Sequence, residues 1–155
     1  MRKLMVLFAV LTLAFSTANA QLYKQALGVR LGYTQALEYK VFTNPSQFLN
    51  IGVLLHTVKH FGISGYAFYN FNHSVSGDSY VSWYYGPGVV LGYNGYMAGF
   101  NATVNAQIGI EFLLRNAPIA FSIDWAPGAG LAMNPDEVHF IFNPTFGGLG
   151  IKYVF

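Results

Sequence analysis

From Lys24 onward apolar residues recur at alternate positions, the side-chain period of a β-strand, and turn residues interrupt the pattern at short intervals. The first candidate strand, Lys24–Tyr33, sets Leu27, Val29, Leu31 and Tyr33 against Gly28, Arg30 and Gly32. Ala36–Phe42 opposes Leu37, Tyr39 and Val41 to Glu38 and Lys40, and Asn44-Pro45-Ser46 turns the chain. Phe48–Thr57 carries Leu49, Ile51, Val53 and Leu55 on one face and Asn50, Gly52 and His56 on the other. Ile63–Phe71 has bulky aromatics on both faces, and the polar run Asn72–Ser79 reads as a loop. Val81–Tyr93 sets Trp83, Tyr85, Val89, Leu91 and Tyr93 against Gly86, Gly88 and Gly92. Asn101–Leu114 alternates most regularly, with Val104 to Leu114 at even positions against Thr103, Asn105, Gln107, Gly109 and Glu111. Ile119–Gly130 places Ile119, Phe121, Ile123 and Trp125 opposite Ala120, Ser122 and Asp124. A long loop, Leu131 to about Thr145, then leads to a closing strand in which Leu149, Ile151, Tyr153 and Phe155 alternate with smaller residues and Lys152.

About eight strands result, all antiparallel, and this is the smallest size of an up-and-down barrel that spans an outer membrane. The direction of the two faces follows from their chemistry. One face is nearly unbroken Leu, Ile, Val, Phe, Tyr and Trp; the other holds Gly, Ser, Thr, Asn, Gln and the charges. A water-soluble barrel of eight strands could not fill its core with the second set or keep the first in water. The expected fold is therefore an all-β, eight-stranded antiparallel transmembrane barrel, apolar outside and polar within, whose closure pairs every backbone group. Six charges fall on the lumen face: Arg30, Lys40 and Lys152 against Glu38, Glu111 and Asp124. Closure sets the last strand beside the first, so a buried ion-pair network is expected, with Lys152 between Asp124 and Arg30. Tyr23, Tyr33, Tyr39, Trp83, Tyr85, Tyr93, Trp125, Tyr153 and Phe155 become candidates for two interfacial aromatic girdles.

Composition agrees with this picture. Charged residues are 9% of the 155 and aromatics 17%, against roughly 25% charged in ordinary soluble proteins. Residues 1–20 read as a cleaved signal peptide: Arg2-Lys3, the apolar run Leu4–Phe15, and Ala18-Asn19-Ala20 as the cleavage site. That run is shorter than the ~20 residues a helical span needs, so the chain is expected to be exported, with 21–155 as one barrel domain. The formal charge of +2 belongs to Arg2 and Lys3, and six cations balance six anions in the remainder. A neutral mature chain has no electrostatic footprint for nucleic acid. The absence of cysteine removes thiolate catalysis, cysteine zinc sites and disulfides together.

The final segment, with Leu149, Ile151, Tyr153 and a terminal Phe155, resembles the signal by which the outer-membrane barrel-assembly machinery recognises its clients. Gly28-Val-Arg-Leu-Gly-Tyr33, Trp83-Tyr-Tyr-Gly-Pro-Gly88, Ile108-Gly-Ile-Glu-Phe112 and Ser122-Ile-Asp-Trp-Ala-Pro127 carry a wider likeness along most of the mature chain. It resembles small barrels of the OmpX or OmpA-transmembrane type, and more closely a group of small outer-membrane proteins common in Bacteroidetes. The resemblance implies a location in the bacterial outer membrane, contact with phospholipid and lipopolysaccharide, and a barrel acting as a single copy. With both termini periplasmic, the connections near Thr34-Gln35, Lys59–Gly62, Asn94–Gly99 and Leu131–Thr145 would face outward.

Catalytic readings are weaker. Pro87 and Pro127 sit inside predicted strands, where each removes a ladder donor; they mark either a kink that curves the barrel or a lateral gate for lipid, as in acyltransferases of the PagP type. Deacylases of the PagL type place a His and a Ser two apart on one strand face, and none of His56, His60, His73 or His139 has that partner. A triad of His56, Ser64 and Glu38 has no support beyond spacing. Asp136-Glu137 with His139 supplies too few oxygen ligands for calcium and no zinc pattern. The expectation is a structural or surface-interaction barrel with no cofactor, no metal and no catalysis of its own. Lipid modification, or a narrow ion or proton pathway, stands as the alternative.

Overall fold

Short turn sequences between alternating runs bring strands back beside their predecessors, and consecutive strands pair in this way seven times. The computed structural model describes residues 23–32, 35–56, 62–75, 78–94 and 99–155. The expected leader (1–20), Tyr33, Thr34, His60 and the connections after β1, β3, β4 and β5 lie outside the described residues. The strands are β1 (Gln25–Gly32), β2 (Gln35–Asn44), β3 (Gln47–His56), β4 (Gly62–Val75), β5 (Asp78–Asn94), β6 (Gly99–Leu113), β7 (Ile119–Trp125), β8 (Gly128–Met133), β9 (Val138–Asn143) and β10 (Gly147–Val154). All pairings are antiparallel. β1 to β7 and β10 close on one another, β10 lying between β7 and β1, to give a closed eight-stranded antiparallel barrel.

The hydrogen-bonded rows climb around this wall. From Arg30, partners lead through Ala36, Leu54, Ser64 and Gly92 to Asn101 on β6. In the other direction they lead through Gly150 and Ser122 to Glu111 on the same strand. The difference, 111 − 101, is a shear of ten residues. With ~3.3 Å per residue and ~4.8 Å between strands, that tilts the strands about 40° from the barrel axis.

Two expected connections turn out to be strand. The polar run at 72–79 holds the end of β4, to Val75, and the start of β5, from Asp78. Asn72 is polar because it faces the lumen, where it is buried, not because it lies in a loop. The long loop after Leu131 is a second hairpin, β8–β9, connected by 134–137. Val138, Phe140 and Phe142 do alternate with His139, Ile141 and Asn143, but the run is only six residues, between Asn134-Pro135-Asp136 and Asn143-Pro144, whose turn chemistry dominates the reading. β7 and β8 are one strand broken at Ala126-Pro127, both lying along β6. β9 and β10 are likewise broken at Pro144–Phe146, where Gly147 adopts φ +152° and a Cβ would strike the Asp124 carbonyl at 2.4 Å. Only glycine accepts that backbone.

Side chains alternate between the two surfaces around the whole wall. Leu27, Val29, Leu37, Ile51, Val53, Leu91, Val104, Ile108, Ile123, Leu149 and Ile151 are exposed on the outside. Arg30, Glu38, Lys40, Asn50, Asn70, Gln107, Glu111, Ser122, Asp124 and Lys152 are buried within.

Candidate functional site: the lumen charge chain

All six predicted lumen charges point inward, and none exposes more than 6% of its surface. They form one chain of alternating sign. Asp124 Oδ2 lies 3.0 Å from the Arg30 guanidinium, which lies 3.1 Å from Glu38 Oε2. Glu38 Oε1 is 3.1 Å from Lys152 Nζ, which is 3.5 Å from Glu111 Oε2. Glu111 Oε1 ends the chain at Lys40 Nζ, 2.7 Å away. The chain crosses the lumen from β2 to β6, strands four places apart in a ring of eight.

Small residues on neighbouring strands make the room. Glu38 pairs laterally with Gly28 and Gly52, Asp124 with Gly148 and Gly109, Arg30 with Gly150 and Ala36, and Lys152 with Gly28 and Ala120. A Cβ on Gly150 would come within 2.3 Å of Ser122 Oγ and 3.1 Å of Glu38 Oε1. Lys152 does lie between the strands of Asp124 and Arg30, but its carboxylate partners are Glu38 and Glu111. Asp124 stands opposite Gly148, four residues along β10 from Lys152, which is about 13 Å along a strand.

Neutral donors complete the network. Tyr66 Oη donates to Glu38 Oε2 at 2.8 Å, and Asn50 Nδ2 reaches the same oxygen at 3.4 Å. Tyr84 Oη donates to Asp124 Oδ2 at 3.1 Å, and Lys152 Nζ donates to Ser122 Oγ at 2.9 Å. Tyr23, expected in a girdle, instead turns into the lumen. Its hydroxyl donates to Glu111 and accepts from Lys40 Nζ at 2.7 Å. It precedes β1 and is free of the strand's alternation, so its hydroxyl follows the nearest ion pair.

Aromatic rings enclose the charges on both sides. Lys40 Nζ sits 3.9 Å from the Phe48 ring centre and 4.8 to 5.7 Å from Phe42, Tyr23 and Tyr84. Toward the other end Tyr66, Phe68 and Phe146 pack ring on ring at 5.5 to 5.7 Å. The Arg30 guanidinium lies 5.3 Å from the Tyr66 ring and 5.7 Å from that of Phe146. Such contacts hold a cation without removing its charge. Sequence reasoning missed these inward rings. Their signal is the glycine beside each: a Cβ on Gly52 would strike Tyr66, one on Gly88 Phe68, and one on Gly109 Tyr84.

The outward aromatics are distributed unevenly. Trp83 and Tyr85 stack with His73, at centroid distances of 4.7 and 5.6 Å, on the half of the wall where β1 begins. Tyr153 and Phe155 stack in the same half, three strands around the wall from β5, and Tyr93 meets Phe100 near the opposite end. Tyr39 spends its hydroxyl on Gln25, and Trp125, level with Ile108 and Gly147, donates its indole N–H to the Pro144 carbonyl at 2.6 Å. Within the closing strand Leu149, Ile151 and Phe155 are exposed on the outer face and Tyr153 half-buried.

Pro87 and Pro127, far apart in sequence, flank the same residue. Pro87 pairs with Ala106 across β5–β6, and Ala106 donates its N–H to the Pro127 carbonyl at 3.0 Å. The β4–β5 ladder lacks two successive pairs beside Pro87, between Phe68↔Gly88 and Phe71↔Tyr85. A groove of about 440 Å³ lies elsewhere, on the outer face, where Gly65 and Ala67 leave a depression among Leu37, Ile51, Val53 and Val89. The residues of the conjectured triad have other employment: Glu38 is held by two cations and Tyr66, and Ser64 is packed against Gly92.

The molecule thus belongs to the class of small closed antiparallel barrels with an ionised, packed lumen and an apolar exterior. Neither the known protein families, nor the curated proteins, nor the solved structures contain a match to this chain.

Proposed function

We propose that this chain is an integral barrel of a bacterial outer membrane, with a structural or surface-interaction role and no catalysis of its own. The observation that carries the reading is the inversion of polarity. Six ionised groups and their amide and hydroxyl partners are buried inside, while the outer surface is a belt of Leu, Ile, Val, Phe, Tyr and Trp. Monomeric soluble proteins keep exposed apolar patches to a few hundred Å²; hydrocarbon is the solvent in which such a belt is stable. The likeness to OmpX-type and Bacteroidetes barrels, with the leader and the final aromatic strand, supports the same location and assembly by the barrel-assembly machinery.

A scaffold role fits a lumen spanned by the rings of Tyr66, Phe68 and Phe146 above an ion chain whose members are already paired. A second reading, lateral access for a lipid substrate, draws on the row Pro87–Ala106–Pro127, where two of three adjacent strands lack a donor. Refolding into detergent micelles, then comparing gel migration of boiled and unboiled samples beside outer-membrane fractionation, tests the principal reading. Faster migration of the unboiled form and recovery in the outer-membrane fraction are expected; identical migration would count against it. Acyl transfer or hydrolysis on labelled phospholipid or lipid A would replace the scaffold role by lipid chemistry.

A further inference from the structure

Two successive outward positions of β4, Gly65 and Ala67, carry almost no side chain. Nothing in the packing asks for glycine at Gly65. A Cβ there would meet no atom of another strand nearer than 3.9 Å, whereas at thirteen other glycines it would come within 1.9–2.6 Å of a neighbour. The wall therefore lacks a side chain where one would fit. We propose that the trough so formed seats one acyl chain of a membrane phospholipid, with the ester end of the chain held by Gln25 and Gln47.

The strands on either side raise the banks. Gly65 stands between Val53 on β3 and Leu91 on β5, and Ala67 between Ile51 and Val89. All four bank residues are exposed, and the groove they border holds about 440 Å³. β3 and β5 lie roughly 10 Å apart across β4, and the bank side chains narrow that further. A helix, ~10–12 Å across with its side chains, does not enter. The convex wall of another barrel would pass over the depression and leave it empty. A single hydrocarbon chain follows it, and Ile63 and Tyr69 bound it on β4 roughly 20 Å apart. Given the membrane reading, on which this proposal rests, a void in this face forfeits dispersion contacts until a chain lies in it.

The two ends of the trough differ, and the difference selects a lipid and its direction. Ile63, at one end, is apolar and exposed. At the other end Tyr69 Oη donates to Gln47 Oε1 at 2.7 Å, and on β2 Tyr39 Oη donates to Gln25 Oε1 at 2.8 Å. Each tyrosine thereby fixes a glutamine whose Nε2 hydrogens are the donors that an ester carbonyl needs. Gln47 is in register with Phe71 and, through it, with Tyr85 of the aromatic rim. Ala67 lies four residues from Phe71 along β4, roughly 13 Å further into the apolar belt. Glu38, behind the trough, is buried in the lumen and paired with Arg30 and Lys152. Lys24, next to Gln25, is exposed at the same rim. An apolar shaft, neutral donors and then a cation match the order of acyl chain, ester and phosphate in a phospholipid.

The unmodified barrel, refolded into vesicles of a phospholipid with a photoreactive acyl chain, tests the seat directly. Labelling of Ile51, Val53, Gly65 and Ala67 is expected to exceed at least tenfold that of Leu149 and Ile151, which are exposed on β10, four strands away. Gly65→Leu with Ala67→Leu fills the trough and should lower that labelling at least tenfold. Ala129→Leu, the same enlargement on the outer face of β8, should leave it unchanged. Gln25→Met with Gln47→Met, which fills nothing, should lower it about threefold, the worth of a hydrogen bond; no change would overturn the assignment of the ester end. A heat-modifiable barrel labelled evenly around its wall, or labelled as before when the trough is filled, overturns the seat and leaves the membrane reading standing. Photoproducts joining two chains in place of lipid adducts overturn it in favour of a protein occupant. A chain that stays folded and soluble without detergent overturns the seat and the membrane reading together.

Discussion

Replacing Glu38 by glutamine keeps the side chain's shape and withdraws one charge from the middle of the lumen chain. Two of five links fail together: Arg30–Glu38 at 3.1 Å and Glu38–Lys152 at 3.1 Å. Arg30 keeps Asp124, and Lys152 keeps Glu111 at 3.5 Å and Ser122, but the buried set gains a net positive charge. Removing one partner of a buried pair costs about 3–5 kcal/mol, because the abandoned charge stays desolvated. Glu38 leaves two such partners, so a loss toward the upper end is expected. Asp124→Asn breaks one link and retains Tyr84 as a neighbour, and a loss of about 1–3 kcal/mol is expected. The double variant Glu38→Gln/Lys152→Met restores neutrality, so it should be more stable than the sum of its single changes by about 1–3 kcal/mol. Urea unfolding from lipid vesicles measures all four, followed by the emission of Trp83 and Trp125, which face outward. If Glu38→Gln unfolds within ~0.5 kcal/mol of the parent, or the two changes add, the charges are not acting as one chain.

Three further outcomes are expected. Val53→Lys, on the outer face, should cost about 2–4 kcal/mol in vesicles, whereas the same change on a surface in water would be near neutral; equal stability there would contradict a lipid-facing wall. Gly52→Ala introduces a Cβ 2.4 Å from the Tyr66 ring and should cost about 1–3 kcal/mol by overpacking, read as a lower urea midpoint at unchanged slope. Tyr66→Phe removes the hydroxyl that donates to Glu38 at 2.8 Å and should cost about 1.5–3 kcal/mol; a double-mutant cycle with Glu38→Gln should show the two losses overlapping.

The fold was legible where one face is polar. Arg30, Glu38, Lys40, Glu111, Asp124 and Lys152 each stand directly between two apolar or aromatic residues, so period two alone assigns them to the opposite surface. Their partners were not legible, because which carboxylate meets Lys152 depends on the ten-residue shear, a property of closure and not of any strand. The alternation also hid what breaks it. Asn72 is polar for the lumen and was taken for a loop; Val138, Phe140 and Phe142 alternate over too short a run, between two proline-containing turns, to stand out from them. Tyr66, Phe68 and Tyr84 look like outer-face residues until the glycines across from them are known. Phe146 and Tyr23 enter the lumen from irregular backbone, where no period applies.

The distribution of the six charges along the chain bears on the order in which the wall is completed. β1 and β2 carry Arg30, Lys40 and Glu38, a sum of +1; β6 and β7 carry Glu111 and Asp124, a sum of −2; β10 carries Lys152, +1. Before β10 docks, the two flanks of the seam are oppositely charged and neither can balance its own charges. Arrival of β10 brings the missing cation together with the backbone ladder that joins β7 to β1. Neutrality and closure are therefore reached in one event. On the proposed membrane reading, a half-zipped wall would leave ions stranded in hydrocarbon, and partly closed forms are expected to be sparsely populated.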